Sequence, residues 1–266
     1  TSTIADTCDL TALRQAFTPH TKLVVVETIA NPLLQVADIP ALAQITHQHG
    51  AKLLVDNTFA SPILCRPLEL GADFVWESLT KIMNGHSDVI LGLLCGQTRD
   101  WQRVPLVLSA WGLAASPFDC WLAQRGLMTL HLRMARAAEN ALAAATFLTQ
   151  QAAVAEVYYP GLAKHPEHPL AKQQFGGVYG SMLSFRLRGG RAAANAFIAN
   201  VREQIAFCPS LGEVSTTLSH PESTSHRGLT PAARAELGID GGTIRLSVGC
   251  ESAEYVVRSL ASGLGG

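Results

Sequence analysis

Lys52-Leu53-Leu54-Val55-Asp56-Asn57-Thr58, followed by Asp73-Phe74-Val75-Trp76-Glu77-Ser78-Leu79-Thr80-Lys81, sets the reading of this chain. Each stretch holds a short apolar run of strand length and ends on polar residues suited to a turn. Upstream, Leu23-Val24-Val25-Val26-Glu27 is a β-branched run of the kind found in buried parallel strands. Between it and Lys52 lies Asp38–His49, with Ile39, Leu42, Ala43 and Ile45 at helical spacing, Asp38 suited to the N-cap and Gly50 to the stop. Strands at Leu23–Glu27, Lys52–Val55, Asp73–Trp76 and Val89–Cys95, joined by helical or loop connections, predict βαβ units in a mostly parallel sheet. The expected class is α/β.

From Pro117 to Gln150 the pattern changes. Leu122, Leu127, Leu130, Met134, Ala137, Ala138, Ala141, Leu142 and Ala145 trace one apolar stripe and predict a single long helix, weakest near Gly126. Beyond it, strands at Val154–Tyr159, Ser181–Leu187 and Thr243–Val248 and a helix at Ala192–Val201 predict a second, α+β region. The expected organisation is therefore a sheet domain over 1–116, a connecting helix over 117–150 and a smaller C-terminal α+β domain over 151–266.

The whole chain has 266 residues, 48% of them hydrophobic and 15% charged, so disorder is excluded as its main state. Twenty Lys and Arg against 21 Asp and Glu give a net charge of −1, which supplies no electrostatic reason for nucleic acid or an anionic membrane as partner. No apolar run reaches the roughly 20 residues needed to span a bilayer. The first residues lack the basic-then-apolar layout of a signal peptide. The six cysteines show no C-x-x-C spacing and several sit in apolar segments, as expected of free thiols in a reducing compartment; the expected location is cytoplasmic.

In a parallel α/β sheet, ligands bind beyond the carboxyl ends of the strands. The residues just past each strand are therefore informative: Asn31-Pro32 after the first, Asp56-Asn57-Thr58 after the second, and Ser78-Leu79-Thr80-Lys81 after the third. A carboxylate ending an apolar run must be paired or hydrogen-bonded to stay charged. A lysine in such a crevice is a candidate for Schiff-base chemistry, and Ser78 and Thr80 offer hydroxyls to a phosphate. Read singly, Asp56 better suits a turn or cap and Lys81 a solvated loop. Their occurrence on adjacent strand ends gives the cluster its weight. His47-Gln48-His49 and His165-Pro166-Glu167-His168 lack zincin helix spacing, so no metal is expected. Gly176-Gly177-Val178-Tyr179-Gly180 is not a dinucleotide loop.

Several segments together resemble the Cys/Met-metabolism (transsulfuration) family of pyridoxal 5'-phosphate (PLP) enzymes, which includes cystathionine γ-synthase, cystathionine β- and γ-lyases and methionine γ-lyase. They are Asp56-Asn57-Thr58-Phe59-Ala60, Arg66-Pro67-Leu68-Glu69-Leu70-Gly71-Ala72-Asp73, Ser78-Leu79-Thr80-Lys81 and Gly85-His86-Ser87-Asp88. Tyr159-Pro160-Gly161-Leu162, Ser210-Leu211-Gly212 and Ile244-Arg245-Leu246-Ser247-Val248-Gly249 come later in the same order. The resemblance implies PLP fold type I, like aspartate aminotransferase, with 1–116 forming the remainder of the cofactor-binding domain. It implies that Lys81 carries the cofactor as a Schiff base and shuttles protons, and that Asp56 pairs with the ring nitrogen. Asn31 would meet the ring hydroxyl; Ser78 and Thr80 would meet the phosphate, with Thr58 in the same cofactor-binding set. Arg245 would clamp the substrate carboxylate, with Ser210 nearby as a catalytic and substrate-binding residue. The implied reaction is elimination or replacement at Cβ or Cγ of a cystathionine-, methionine- or cysteine-type substrate.

Members of that family are longer by more than a hundred residues at the N-terminus. The resemblance therefore implies that a glycine turn for the phosphate, a ring-stacking Tyr and a Tyr/Arg pair reaching into a neighbouring site come from another chain or from residues outside this numbering. It also implies a homotetramer built as a dimer of dimers. The alternative function is a non-catalytic fragment or partner subunit that keeps the fold without a complete cofactor site.

Overall fold

The computed structural model describes residues 1–265, which form two compact units: residues 1–29 with 36–128, and residues 30–35 with 129–265.

The first unit is built on a four-stranded sheet: β1 (Leu23–Glu27), β2 (Lys52–Asp56), β3 (Phe74–Ser78) and β4 (Gly92–Gly96), in that spatial order. The first three strands are parallel and β4 is antiparallel to β3. Helices α1 (Leu10–Ala16) and α2 (Ile39–Gln48) are joined in sequence by the short α3 (Ser61–Leu64), α4 (Thr98–Trp101) and α5 (Val104–Ala110), and by α6 (Pro117–Leu127). Asp38 caps α2 as expected, its Oδ1 accepting the Ala41 amide at 3.0 Å. Gly50 takes the left-handed conformation (φ 70°) that ends the helix. Ile39, Leu42, Ala43 and Ile45 pack onto Val26, Leu53, Val55 and Val75 from one sheet face.

The opposite face is different. Val25 is 59% exposed and Trp76 50%, with Leu23 and Leu94 also open to solvent. A sheet with three parallel strands ordinarily has both faces covered.

Strand boundaries differ from the sequence expectation in instructive ways. β3 extends to Ser78 because Glu77 and Ser78 pair with Leu93 and Gly92 of the antiparallel neighbour. β4 starts only at Gly92, because the Leu91 amide donates to the Thr80 hydroxyl instead of joining the ladder (3.1 Å). The single helix expected over 117–150 is two helices, α6 and α7 (Leu130–Thr149). The Met128 amide closes onto the Arg125 carbonyl, tightening the last turn, and Thr129 is not helical.

The second unit holds β5 (Val154–Tyr158), β6 (Met182–Leu187), β7 (Ala206–Phe207), β8 (Thr217–Ser219) and β9 (Thr243–Ser247). Their order is β5-β6-β9-β8-β7; all pairs are antiparallel except β7 with β8. Besides α7, its helices are α8 (His168–Phe175), α9 (Gly190–Val201), α10 (Pro231–Glu236) and α11 (Ala253–Gly263). α7 buries Met134 and Leu148 together with Ala137, Ala138, Ala141, Ala144 and Ala145, and the alanines let it approach β5 and β6 closely. The hexapeptide 30–35 is tied in by the Ser184 hydroxyl, which donates to the Pro32 carbonyl at 2.6 Å inside the core.

Candidate active site

In the first unit the carboxyl ends of β2 and β3 carry the expected cluster. Asp56 pairs laterally with Glu27 and Trp76, so strand alternation puts Asp56, Trp76 and Ser78 on one face and Asn57 and Glu77 on the other. Two hydrogen-bonded rows result.

On the Asp56 face, Asp56 Oδ1 accepts the Thr58 amide at 2.9 Å, and Thr58 Oγ1 accepts the Ser78 amide at 3.0 Å. No Lys, Arg or His pairs with Asp56 among the described residues, and its second oxygen is not engaged. On the other face, Thr28 Oγ1 donates to Asn57 Oδ1 at 2.7 Å. Asn57 Nδ2 in turn donates to Glu77 Oε1 at 2.9 Å and to the Cys65 carbonyl at 3.0 Å. Glu77 is buried, and burial, opposed by the Asn57 donor and reinforced by the Asp56 charge, pushes its carboxyl up to about 7. The same burial, with Glu77 nearby, pushes the Cys65 thiol up to about 12.

Lys81 lies in a π-turn, Leu79–Met83, where its own backbone departs from helix (φ −101°, ψ −136°). The Lys81 carbonyl accepts the Gly85 amide at 2.8 Å, and Asn84 closes onto Leu79. Behind this turn Gly126 of α6 touches Asn84 so closely that a Cβ there would overlap the Asn84 carbonyl oxygen.

The second unit holds the other expected residues. Arg245, on β9, is 3% exposed. Its Nη1 donates to Asn31 Oδ1 at 3.0 Å, and its Nη2 to the carbonyls of Pro209 (3.0 Å) and Ser210 (3.2 Å). All these acceptors are neutral, and no carboxylate pairs with Arg245 among the described residues. Burial lowers its guanidinium to about 10. Burial, followed by the charges of Arg245 and Arg234, holds His226 below its ordinary range.

Asp56, Thr58, Ser78, Thr80 and Lys81 thus belong to one unit, and Asn31, Ser210 and Arg245 to the other. Of the histidines weighed as metal ligands, His47, His49 and His168 have other partners. His47 Nε2 meets Asp73 at 2.8 Å, the His49 ring nitrogen meets the Ile45 carbonyl, and His168 Nδ1 meets the Pro160 carbonyl. The sequence reading did not single out Thr28, Asn57 and Glu77 as a buried polar row. The available signal was period two: Glu77 follows Val75 on the core-facing register, an unusual place for a carboxylate.

Residues 1–265 match the profile described as Cys/Met metabolism PLP-dependent enzyme. The chain belongs to this family. It is 42% identical to a cystathionine gamma-lyase of Dictyostelium discoideum and to an L-methionine gamma-lyase of Porphyromonas gingivalis. The two alignments cover 97% and 98% of this chain and 67% and 66% of those proteins. A cystathionine gamma-synthase of Mycobacterium tuberculosis is 43% identical over 97% of the chain and 65% of its own length. The crystal structure of cystathionine gamma synthase from Xanthomonas oryzae pv. oryzae, in complex with aminoacrylate and cysteine, superposes with a TM-score of 0.94 at 44% identity. That superposition covers 98% of this chain and 67% of the other. The Cys/Met-metabolism member described here therefore spans about two thirds of the length of the relatives it matches, and its PLP fold type I class follows from these structures.

The residues present fit the cofactor. Asp56 offers a carboxylate oxygen without a cation, and the two threonine hydroxyls, Thr58 and Thr80, each accept a backbone amide (3.0 Å from Ser78, 3.1 Å from Leu91). The Thr58 hydroxyl proton is thereby left for another acceptor, while the Thr80 hydroxyl also donates to the Leu91 carbonyl at 3.5 Å.

Proposed function

We propose that this chain is the lysine-bearing part of a PLP enzyme that breaks or exchanges a bond at Cβ or Cγ of a sulfur-containing amino acid. The observation that carries this reading is Arg245: a buried guanidinium held by neutral acceptors keeps an uncompensated positive charge, and an α-carboxylate is the matching fork. The relatives, named as cystathionine and methionine lyases and synthases, support the sulfur substrate class.

Bound PLP supplies an electron sink for charge developing at the substrate Cα. Lys81 Nζ would hold the cofactor covalently and would be the base for the substrate α-proton. Asp56 would hold the ring nitrogen in its protonated form, because a carboxylate facing a cation favours the charged form. The hydroxyls of Ser78, Thr58 and Thr80 would hold the phosphate, and Asn31 would meet the ring hydroxyl. Arg245, oriented through Asn31 and the Ser210 carbonyl, would hold the substrate α-carboxylate.

A further segment, from another chain or from outside this numbering, completes phosphate binding, in a homotetramer arranged as a dimer of dimers. The amino-acid substrate class supports no role for nucleic acid or membrane, and no helix among the described residues is long and apolar enough to cross a membrane. All six cysteines are free, which supports a reducing, cytoplasmic location. The family match and the complete Asp56, Lys81 and Arg245 set disfavour a non-catalytic remnant.

The test is product analysis with cystathionine, methionine and cysteine offered separately to the chain assembled with the N-terminal third of a relative. Formation of a keto acid or a new thioether with any one supports the reading. Absence of turnover with all three, in an assembly that holds PLP, overturns it.

A further inference from the structure

Arg245 is buried, and no carboxylate pairs with it among the described residues, so its direction depends on where three neutral oxygens stand. Two of them, the carbonyls of Pro209 and Ser210, lie in the connection between β7 and β8. The third, Asn31 Oδ1, lies in the hexapeptide 30–35. None of these three residues is in a strand or helix, so no ladder of backbone bonds fixes them.

The neighbouring strands supply the missing anchors. Across β6, β9 and β8, Arg245 stands between Ser184 and Ser219, and Ser247 stands between Met182 and Thr217. Laterally paired side chains share a sheet face, with Cβ atoms roughly 5 Å apart. Four buried hydroxyls therefore flank the Arg245 stem on one face: Ser184, Ser219, Thr217 and Ser247. Two of them are tied to the oxygens that hold the guanidinium. Ser184 Oγ donates to the Pro32 carbonyl at 2.6 Å, next in sequence to Asn31. Ser247 Oγ accepts the Gly212 amide at 2.7 Å, two residues beyond Ser210. The other two, Thr217 Oγ1 and Ser219 Oγ, are buried without a hydrogen-bond partner.

We propose that Ser184 and Ser247 are positioning residues for substrate binding: each ties one loop to the sheet and so sets one side of the cradle that aims Arg245 at the substrate carboxylate. The proposal rests on the reading of Arg245 as the carboxylate clamp. Ser184 sets the Asn31 side, which meets Nη1, and Ser247 sets the Pro209–Ser210 side, which meets Nη2. Neutral acceptors orient the guanidinium without cancelling its charge, which a carboxylate in their place would do. Their weakness is that they ride on loops, and the two serines remove that freedom. A guanidinium grips a carboxylate through two parallel N–H bonds, so an error in its direction weakens both together.

The test has two readouts. The first needs neither PLP nor substrate: the rate at which phenylglyoxal modifies Arg245 in the 266-residue protein, followed by peptide mass spectrometry. Ser184→Ala and Ser247→Ala each remove one buried hydrogen bond and should speed the labelling by about tenfold. Ser219→Ala and Thr217→Val remove hydroxyls that bond nothing and should label within about twofold of the unsubstituted rate. Unchanged labelling in both serine variants, or equal acceleration in all four, would overturn the proposal.

The second readout is kinetic, in the chain assembled with the N-terminal third of a relative. S184A and S247A should each lower kcat/KM for an amino acid by about tenfold, through KM, and by no more than about twofold for its decarboxylated analogue. Added to Arg245→Ala, neither should cost anything further. Equal losses on both compounds, or a further loss without Arg245, would make the serines merely structural and overturn the proposal. Faster labelling in S184A and S247A, with an unsubstituted enzyme that treats both compounds alike, would place the failure in the clamp reading and leave the tie between the serines and Arg245 standing.

Discussion

Gly126 and Asn84 meet backbone to backbone: a methyl group at position 126 would overlap the carbonyl oxygen of Asn84, at the end of the turn that carries Lys81. Neither a helix backbone nor a turn held by hydrogen bonds yields cheaply. Gly126→Ala should therefore push the 79–84 turn away from α6, at a cost of about 1–3 kcal/mol. Denaturant unfolding measures that cost. A parallel fall in turnover, with PLP still bound, would show that the displacement reaches Lys81. Unchanged stability would mean that α6 simply slides.

Lys81→Ala should abolish the borohydride-reducible link between protein and PLP. The next nearest lysine in sequence, Lys52, is engaged elsewhere, with Nζ at 2.8 Å from Asp73 and 2.7 Å from Asp100. Mass spectrometry after reduction reads the result directly. A labelled adduct in the variant would place the covalent link on another residue.

Asp56→Asn should leave PLP bound but slow α-proton removal severely. An amide accepts the Thr58 hydrogen bond as well as the carboxylate does, so the turn survives, while the charge that keeps the ring nitrogen protonated is gone. Deuterium wash-in at Cα isolates this step from later ones. Exchange near the unsubstituted rate would reduce Asp56 to a turn former.

For Arg245→Ala, loss of a charge-assisted pair with the carboxylate should cost about 3 kcal/mol, on the order of 10²-fold in kcat/KM. The effect should fall mainly on substrates that carry a carboxylate. If a decarboxylated analogue is processed as well as its parent amino acid by the unsubstituted enzyme, the clamp lies elsewhere.

The uncovered sheet face gives a fifth expectation. With Val25, Trp76 and Leu94 open, residues 1–266 alone should self-associate and hold PLP weakly. Co-expression with the N-terminal third of a relative should restore a single species in ultracentrifugation. A monodisperse, fully loaded lone chain would show that this face needs no cover.

Much of this was legible in the sequence. The β-branched run at Leu23–Glu27 and the capped repeat of α2 arise from local chemistry, and the structure places them within a residue of expectation. Asp56 and Lys81 stood out because strand ends concentrate ligand contacts. Arg245 did not: on β9 it is one arginine in an apolar strand, and only the neutral company it keeps gives it meaning. The break between α6 and α7 showed only as a weak point near Gly126, since the apolar stripe runs through it unbroken while backbone hydrogen bonding does not. Glu77 could be read only once its register neighbours were known.

The hexapeptide 30–35 belongs to the second unit, yet both of its flanks belong to the first. Domain dissection at the 128/129 boundary would therefore sever more than a linker. A fragment starting at Thr129 would leave the Ser184 hydroxyl without the Pro32 carbonyl and the Arg245 guanidinium without Asn31, two buried polar groups stranded by one cut. Order of synthesis matters for the same reason: the residues that complete the substrate-facing half emerge from the ribosome well before β6 and β9. They must wait, tethered between β1 and α2, until those strands have been made.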